Sequence, residues 1–129
     1  MKKHGILNRE LAHLAASLGH GDTVVIGDAG LPVPQGVPCI DLAVCLGVPP
    51  LMPVLEAVSG ELCIERITLA AETEAASPAL WQAAHAQGAA VDICSHEAFK
   101  AACARARAVV RTGDATPYTN IILHSGVPF

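Results

Sequence analysis

The segment from Leu18 to Pro34, LGHGDTVVIGDAGLPVP, constrains the fold more than any other part of the chain. Gly19 is typical of a residue that follows a helix, and residues 20–22 form a short polar connection. The β-branched run Thr23–Ile26 suits a buried strand. Residues 28–30 and a loop stiffened by two prolines come next. The segment therefore predicts a helix end, an interior strand and a turn.

Strands and helices alternate along the rest of the sequence. Helices are expected from the Asn8 cap to Gly19, over Pro53–Val58, from the Ser77 cap to Gly88, and from His96 to about Ala104; strands are expected over Cys39–Val44, Cys63–Ala70, Val91–Cys94, Ala108–Gly113 and Thr119–Gly126. Such alternation predicts a three-layer α/β sandwich around a mostly parallel sheet. A length of 129 residues predicts a single domain over residues 1–129.

Apolar residues make up 52% of the chain, and its mean hydropathy is +0.44. These values are high for a small protein and predict a homo-oligomer in which other copies cover apolar surface. The five cysteines are an odd number and contain no CxxC spacing, so they indicate neither a disulfide framework nor a zinc ribbon. We expect most of them to be small buried residues: Cys39, Cys45, Cys63, Cys94 and Cys103.

Charge and hydropathy patterns argue against several classes of partner. The net charge is −4 and aromatic residues make up 3% of the chain, so no basic or stacking surface for nucleic acid is expected. Polar residues at positions 8–13 interrupt the apolar run that a signal peptide needs, which predicts a cytoplasmic protein. The apolar stretch around residues 42–58 contains three prolines and is too short to span a membrane.

Six polar residues lie near the ends of predicted strands, where open α/β sheets present ligand sites. They are His20, Asp28, His96, Tyr118, Thr119 and Asn120. His20 lies between two glycines, and an imidazole suits proton transfer at neutral pH. Each residue also has an ordinary structural interpretation, such as a surface histidine beside a helix end, an aspartate that forms a turn or a tyrosine at the start of a strand. Their combination favours a small-molecule site.

His20 and Asp28 flank one predicted strand, which holds them roughly 20 Å apart at about 3.3 Å per residue. Direct cooperation between the two therefore requires the chain to fold back or a second subunit to contribute.

Two kinds of cofactor site are not expected. The stretch Gly27–Gly30 follows a strand but lacks the GxGxxG spacing, and two nearby prolines prevent a helix from starting at once, which disfavours a nicotinamide cofactor. The scattered His4, His13 and His124 lack the paired spacing of a metal site. We therefore expect neither cofactor nor metal.

Several motifs resemble, in combination and in order, the RbsD/FucU sugar-mutarotase family, and its ribose branch more than its fucose branch. They are MKKHGILN, GHGD, DAGLP, IDLAV, GVPP, SHEAFK, VVRTGDATPYTNIIL and SGVPF, which together span nearly the whole chain. Three features depart from the family pattern: Thr119 stands where a smaller residue is expected, Gly27 where Ala or Cys is usual, and the segment between Trp81 and Ala90 is shorter.

The resemblance implies a cofactor-free interconversion of the pyranose and furanose forms of D-ribose, which supplies ribose for phosphorylation and catabolism. It also implies a homodecamer of two pentameric rings with its sites at subunit contacts. By motif, His20 corresponds to the catalytic acid, while Asp28, His96, Tyr118 and Asn120 correspond to substrate-binding positions, and Thr119, which lies between the last two, is included among them. The alternatives are a mutarotase of fucose or another aldose, and a sugar-binding protein without catalysis.

Overall fold

The computed structural model describes residues 1–129, in which helices and strands alternate as the sequence predicts. The helices are α1 (Arg9–Ser17), α2 (Leu51–Ser59), α3 (Thr73–Ala76), α4 (Pro78–His85) and α5 (His96–Cys103). The strands are β1 (Thr23–Gly27), β2 (Cys39–Asp41), β3 (Ile64–Ala70), β4 (Ala90–Cys94), β5 (Ala108–Arg111) and β6 (Ile121–Ser125).

The six strands form one sheet in the order β2-β5-β1-β6-β3-β4. Strand β6 runs antiparallel to both of its neighbours, β1 and β3. The other three pairs are parallel. The prediction of a mostly parallel sheet is confirmed, and β6 places its first residues beside the end of β1.

Alternating side chains of the central strand β1 enter two separate cores. Val24 and Ile26 belong to a cluster that includes buried side chains of α1, α2 and α4. Val25 belongs to a smaller cluster that contains Phe99 and Cys103 of α5. This period of two is the expected result of the pleat in a strand that is buried on both faces. Helices therefore cover both faces of the sheet, which confirms the three-layer α/β sandwich.

The predicted caps define the first and last helices well. The Asn8 side chain accepts a hydrogen bond from the Leu11 N–H at 3.0 Å and caps α1. The Ser95 hydroxyl accepts one from the Ala98 N–H at 3.1 Å and caps α5. Helix α1 ends at Ser17 with an extended Leu18, and the left-handed residue in the connection to β1 is Gly21, with φ of +83°, rather than Gly19. Other helix details also differ from the prediction: α2 begins at Leu51 rather than at Pro53, the Ser77 side chain makes no cap hydrogen bond, and the short helix α3 precedes α4.

Strand β2 is shorter than predicted, since it ends at Asp41 rather than at Val44. The Asp41 carboxylate accepts a hydrogen bond from the Ala43 N–H at 3.0 Å, and this local bond turns the chain out of the sheet. Val44 is consequently 80% exposed. Strands β5 and β6 are also shorter than the predicted Ala108–Gly113 and Thr119–Gly126.

The prediction that most cysteines are buried is wrong. Cys39, Cys45 and Cys63 are exposed, Cys94 is partly buried, and all five thiols are free. Cys39 lies on an edge strand, and Cys45 lies in the exposed loop that follows it. Cys103 alone is fully buried, and its burial raises the pKa of its thiol to about 11. None of the helices is long and apolar enough to cross a membrane.

Candidate active site

Asp28 and Asn120 meet where the end of β1 lies beside the start of β6. The Asn120 side-chain amide donates to an Asp28 carboxylate oxygen at 2.9 Å, and its carbonyl oxygen accepts from the Asp28 N–H at 2.9 Å. Asn120 is 1% exposed, so surrounding atoms fix its orientation. The second Asp28 carboxylate oxygen accepts from the Gly30 N–H at 2.9 Å. The carboxylate is therefore held in one orientation from both sides.

Gly27 leaves room for this pair. A Cβ atom at this position would lie 3.0 Å from the Asn120 carbonyl oxygen and 2.6 Å from a terminal methyl of Leu31. Leu31 is buried and fills the space that a larger residue would occupy. An alanine or cysteine at position 27, which the resemblance leads one to expect, would therefore require Leu31 to shift.

His96 is the first residue of α5, as predicted. Its N–H donates to the Glu72 carboxylate at 3.1 Å, which adds a second cap to this helix. Its ring stacks on Phe99 with centroids 6.4 Å apart and meets the Tyr118 ring edge-on at 5.0 Å. The His96 Nδ1 atom is buried without a hydrogen-bond partner.

Tyr118 adopts a left-handed backbone conformation, with φ of +58°, which is uncommon for a residue other than glycine. The fully buried Thr73 hydroxyl donates to the Tyr118 carbonyl at 2.7 Å and stabilises this conformation. The Tyr118 side chain is 38% exposed. Strained backbone that is held by its surroundings is a recurrent feature of ligand sites.

Four of the six predicted site residues line one cavity of about 220 Å³. Its walls are Asp28, Gly30, Leu31, Pro32, His96, Pro117, Tyr118 and Asn120. Thr119 is not part of this lining, because the residue is only 2% exposed. Larger grooves of about 500 and 600 Å³ lie between α2 and α4 and between α1 and β2, but they contain none of the predicted site residues. The smaller cavity combines apolar walls with convergent polar groups, as small-molecule sites do.

His20 does not line this cavity. It lies before β1, at the opposite end of the strand from Asp28, and its side chain is 62% exposed. Its Nε2 atom lies 3.0 Å from a carboxylate oxygen of Glu65, a residue that the sequence patterns did not single out. Within one chain the structure therefore brings together Asp28, His96, Tyr118 and Asn120 and leaves His20 outside.

A second histidine lies on β6 near the His20 loop. The His124 Nε2 atom forms a hydrogen bond with the Thr68 hydroxyl at 2.9 Å. Burial lowers the pKa of His124, and the positive charge of Arg66 lowers it further, against the opposing effect of Asp92 and Glu65. No three His, Cys, Asp or Glu side chains are arranged to hold a metal ion.

Comparison with known proteins assigns the chain to a family. The sequence profile described as the RbsD / FucU transport protein family matches residues 1–128. The chain belongs to the RbsD/FucU family. D-ribose pyranases of Bacillus licheniformis and Chromobacterium violaceum are 53% and 49% identical to this RbsD/FucU chain, and each match covers 100% of both sequences.

Solved structures of RbsD/FucU proteins share the fold. RbsD of Bacillus subtilis, determined in complex with D-ribose, superimposes with a TM-score of 0.94 at 44% identity and covers 100% of both chains. The fucose mutarotase of Streptococcus pneumoniae, in complex with L-fucose, gives a TM-score of 0.81 at 24% identity and covers 99% of this chain and 100% of its own. The second likeness concerns the fold alone.

Proposed function

We propose that this chain is a D-ribose pyranase, an isomerase that interconverts the pyranose and furanose forms of D-ribose. The observation that carries the proposal is the convergence of Asp28, His96, Tyr118 and Asn120 on one small cavity. It is supported by the full-length similarity to D-ribose pyranases and by the likeness to a D-ribose complex. A carboxylate, an imidazole, a phenol and a carboxamide together supply the donors and acceptors that a polyhydroxylated sugar needs.

The reaction needs proton transfer and no redox step. When the ring opens, the bond between the anomeric carbon and the ring oxygen breaks, the ring oxygen gains a proton and the anomeric hydroxyl loses one. Reclosure through a different hydroxyl reverses both transfers. Ring opening already occurs in water without an enzyme. The rate acceleration of roughly 10²-fold to 10⁴-fold that general acid-base catalysis contributes is therefore sufficient for the enzyme.

The proposed roles follow the positions of the side chains. Asp28, held by Asn120 and Gly30, accepts hydrogen bonds from sugar hydroxyls with the free lone pairs of its carboxylate. His96 and Tyr118 line the wall beside it. Thr119 contributes through its position between Tyr118 and Asn120, since its side chain is buried. His20 is the general acid that moves the proton of the ring oxygen.

His20 reaches the sugar from a neighbouring subunit in this proposal. A homo-oligomer is supported by exposed apolar residues, of which Val44 is 80%, Leu46 is 78% and Phe129 is 99% exposed. The proposed assembly is a homodecamer of two pentameric rings with sites at the subunit contacts. The proposed location is the cytoplasm, where the product supplies ribose for phosphorylation and catabolism.

Saturation-transfer NMR of D-ribose at equilibrium tests the function directly, because it measures exchange between pyranose and furanose signals. The wild-type protein should accelerate this exchange, and His20→Ala should lose the acceleration by roughly 10²-fold or more. His13→Ala, a change on the exposed side of α1, is the matched control and should behave as wild type.

Other outcomes would contradict specific parts of the proposal. Wild-type rates in a folded His20→Ala variant would contradict the role of His20. Acceleration with L-fucose or another aldose but not with D-ribose would indicate a different mutarotase. Binding of D-ribose without acceleration of any sugar would indicate a binding protein.

A further inference from the structure

Strand β3 contains a β-bulge at Glu65. Ile64 pairs with Ser125 and Arg66 pairs with His124, so two steps along β3 correspond to one step along β6. Glu65 is the extra residue of this bulge. Bulges redirect a side chain away from the regular alternation of a strand and occur often beside active sites. Here the redirected carboxylate lies 3.0 Å from the His20 Nε2 atom.

Gly126, directly after β6, leaves space for the Glu65 side chain. A Cβ atom at position 126 would lie 3.1 Å from the Glu65 Cβ and 3.4 Å from its Oε2 atom. The Gly126 N–H donates to the Cys63 carbonyl at 2.8 Å, which keeps the two chain segments together. Glycine at this position therefore allows β6 to pass close to the bulge.

The His20 loop is bound to the same end of β6. The Gly21 N–H donates to the Ser125 carbonyl at 2.8 Å, and the Ser125 N–H donates to the Asp22 carbonyl at 2.8 Å. The Asp22 carboxylate also accepts from the Gly19 N–H at 2.8 Å and closes the loop around His20. Main-chain hydrogen bonds thus fix both residues of the His20–Glu65 pair to one strand end.

This pair contributes little to stability, because exposed ion pairs are weak and its side chains are 62% and 44% exposed. A bulge, a glycine and a bound loop that converge on such a contact indicate a different purpose. We propose that Glu65 is a positioning residue that orients the imidazole of His20, an inference that rests on the proposed function. The Nε2–H of His20 donates to Glu65, and Nδ1, which has no hydrogen-bond partner in the chain, faces the sugar.

The proton balance of the proposed step is simple. Protonated Nδ1 gives its proton to the ring oxygen as the bond to the anomeric carbon breaks, while the anomeric hydroxyl releases a proton to water. On reclosure, Nδ1 takes the proton of the attacking hydroxyl and the carbonyl oxygen regains one from water. The Nε2 proton stays between His20 and Glu65 throughout, so the imidazole keeps one orientation in both directions.

Kinetics and imidazole NMR of two Glu65 variants test this role. Glu65→Ala should lower kcat for D-ribose exchange by about tenfold to a hundredfold, the range found for partners that orient metal-ligating histidines, with KM unchanged. Glu65→Gln should retain most of the wild-type kcat because its amide oxygen still accepts from Nε2–H. Asp92→Ala is the control, since it removes an exposed carboxylate of β4 that pairs with Arg66, the neighbour of Glu65 on β3.

The nitrogen-15 spectrum of His20 separates this inference from the proposed function. Wild type should show the Nε2–H tautomer, and Glu65→Ala should show a mixture of both tautomers, whether or not the protein accelerates ribose exchange. Wild-type kcat in Glu65→Ala, an effect on KM alone, or an unchanged tautomer in that variant would overturn the role of Glu65. A wild-type protein that leaves exchange at the background rate would overturn the proposed function, and the tautomer would still decide the contact.

Discussion

Asn120 holds Asp28 by two hydrogen bonds of 2.9 Å, one to the carboxylate and one from the main chain, across the adjacent ends of β1 and β6. The Asn120 carboxamide both donates and accepts. Aspartate has nearly the same shape, but its carboxylate can only accept. Asn120→Asp places a second carboxylate against Asp28 and removes the donor.

We expect Asn120→Asp to raise KM for D-ribose by about tenfold or more and to lower the free energy of unfolding by about 1–3 kcal/mol, since a buried acceptor loses its donor. Exchange kinetics and urea denaturation measure these effects. The only other asparagine gives the matched control: Asn8→Asp keeps an acceptor at the N-cap of α1 and should preserve stability. Wild-type affinity in Asn120→Asp would show that the pair does not organise the site.

Thr119 is only 2% exposed, and its buried hydroxyl has no hydrogen-bond partner. Thr119→Val replaces this hydroxyl with a methyl of similar size, so we expect the free energy of unfolding to rise by about 1 kcal/mol. Thr119→Ser keeps the hydroxyl but loses a methyl and should be destabilised by a similar amount. Urea denaturation measures both effects: the midpoint should lie above that of wild type for Thr119→Val and below it for Thr119→Ser.

Ribose kinetics of Thr119→Val should equal those of wild type, because Thr119 does not line the cavity. A destabilised Thr119→Val variant would indicate that the hydroxyl has a partner in the assembled protein. A slower but stable variant would indicate that the hydroxyl contacts the sugar.

His124 connects stability to pH. Because burial and Arg66 lower the pKa of the folded state below the ordinary value of 6.5, the unfolded chain binds its proton more readily. The stability that the neutral form of His124 contributes is therefore fully present above about pH 6.5 and is lost as the pH falls below that value. We expect His124→Gln to lose less stability than wild type when the pH is lowered.

Urea denaturation of wild type and His124→Gln, at the same protein concentration and at about pH 7.5 and about pH 5, measures how much stability each protein loses. His13→Gln, on the exposed side of α1, controls for the removal of an imidazole. An identical decrease for wild type and His124→Gln would contradict the assignment of this pH dependence to His124.

Local sequence signals predicted the parts of the fold that depend on local contacts. Asn8 and Ser95 cap helices through hydrogen bonds to residues three positions away, and the apolar run of β1 identifies an interior strand. The end of β2 was not predictable in this way. Asp41 there bonds the Ala43 N–H and also pairs with Arg111, a residue on β5 whose proximity depends on strand order.

The site shows the same division. Asp28, His96, Tyr118 and Asn120 each had an ordinary structural interpretation. Their positions near predicted strand ends grouped them, and the resemblance to a family gave them roles, but only the tertiary structure places them around one cavity. The role of Glu65 was not predictable from sequence, because a bulge exists only relative to the register of a partner strand, and β3 and β6 are about 60 residues apart. The functional roles of these residues stay predictions.

Subunit complementation tests whether the proposed site is shared between chains. His20 precedes β1 and Asp28 follows it, so a single chain keeps them at opposite ends of a five-residue strand. His20→Ala and Asp28→Asn should each be inactive alone. Refolding equal amounts of the two variants together should restore about a quarter of the wild-type activity, because each intact site needs one suitable chain on either side of the contact.

A control mixture and one contradicting outcome complete this experiment. A mixture of His20→Ala with the double variant His20→Ala/Asp28→Asn contains no intact His20 and should stay inactive, which excludes restoration by refolding alone. If the first mixture also stays inactive while native mass spectrometry, which resolves the different subunit masses, shows that mixed oligomers form, His20 and Asp28 must come from the same chain. The loop that bears His20 would then have to leave its hydrogen bonds to Ser125 to reach the cavity, and the proposed arrangement would be wrong.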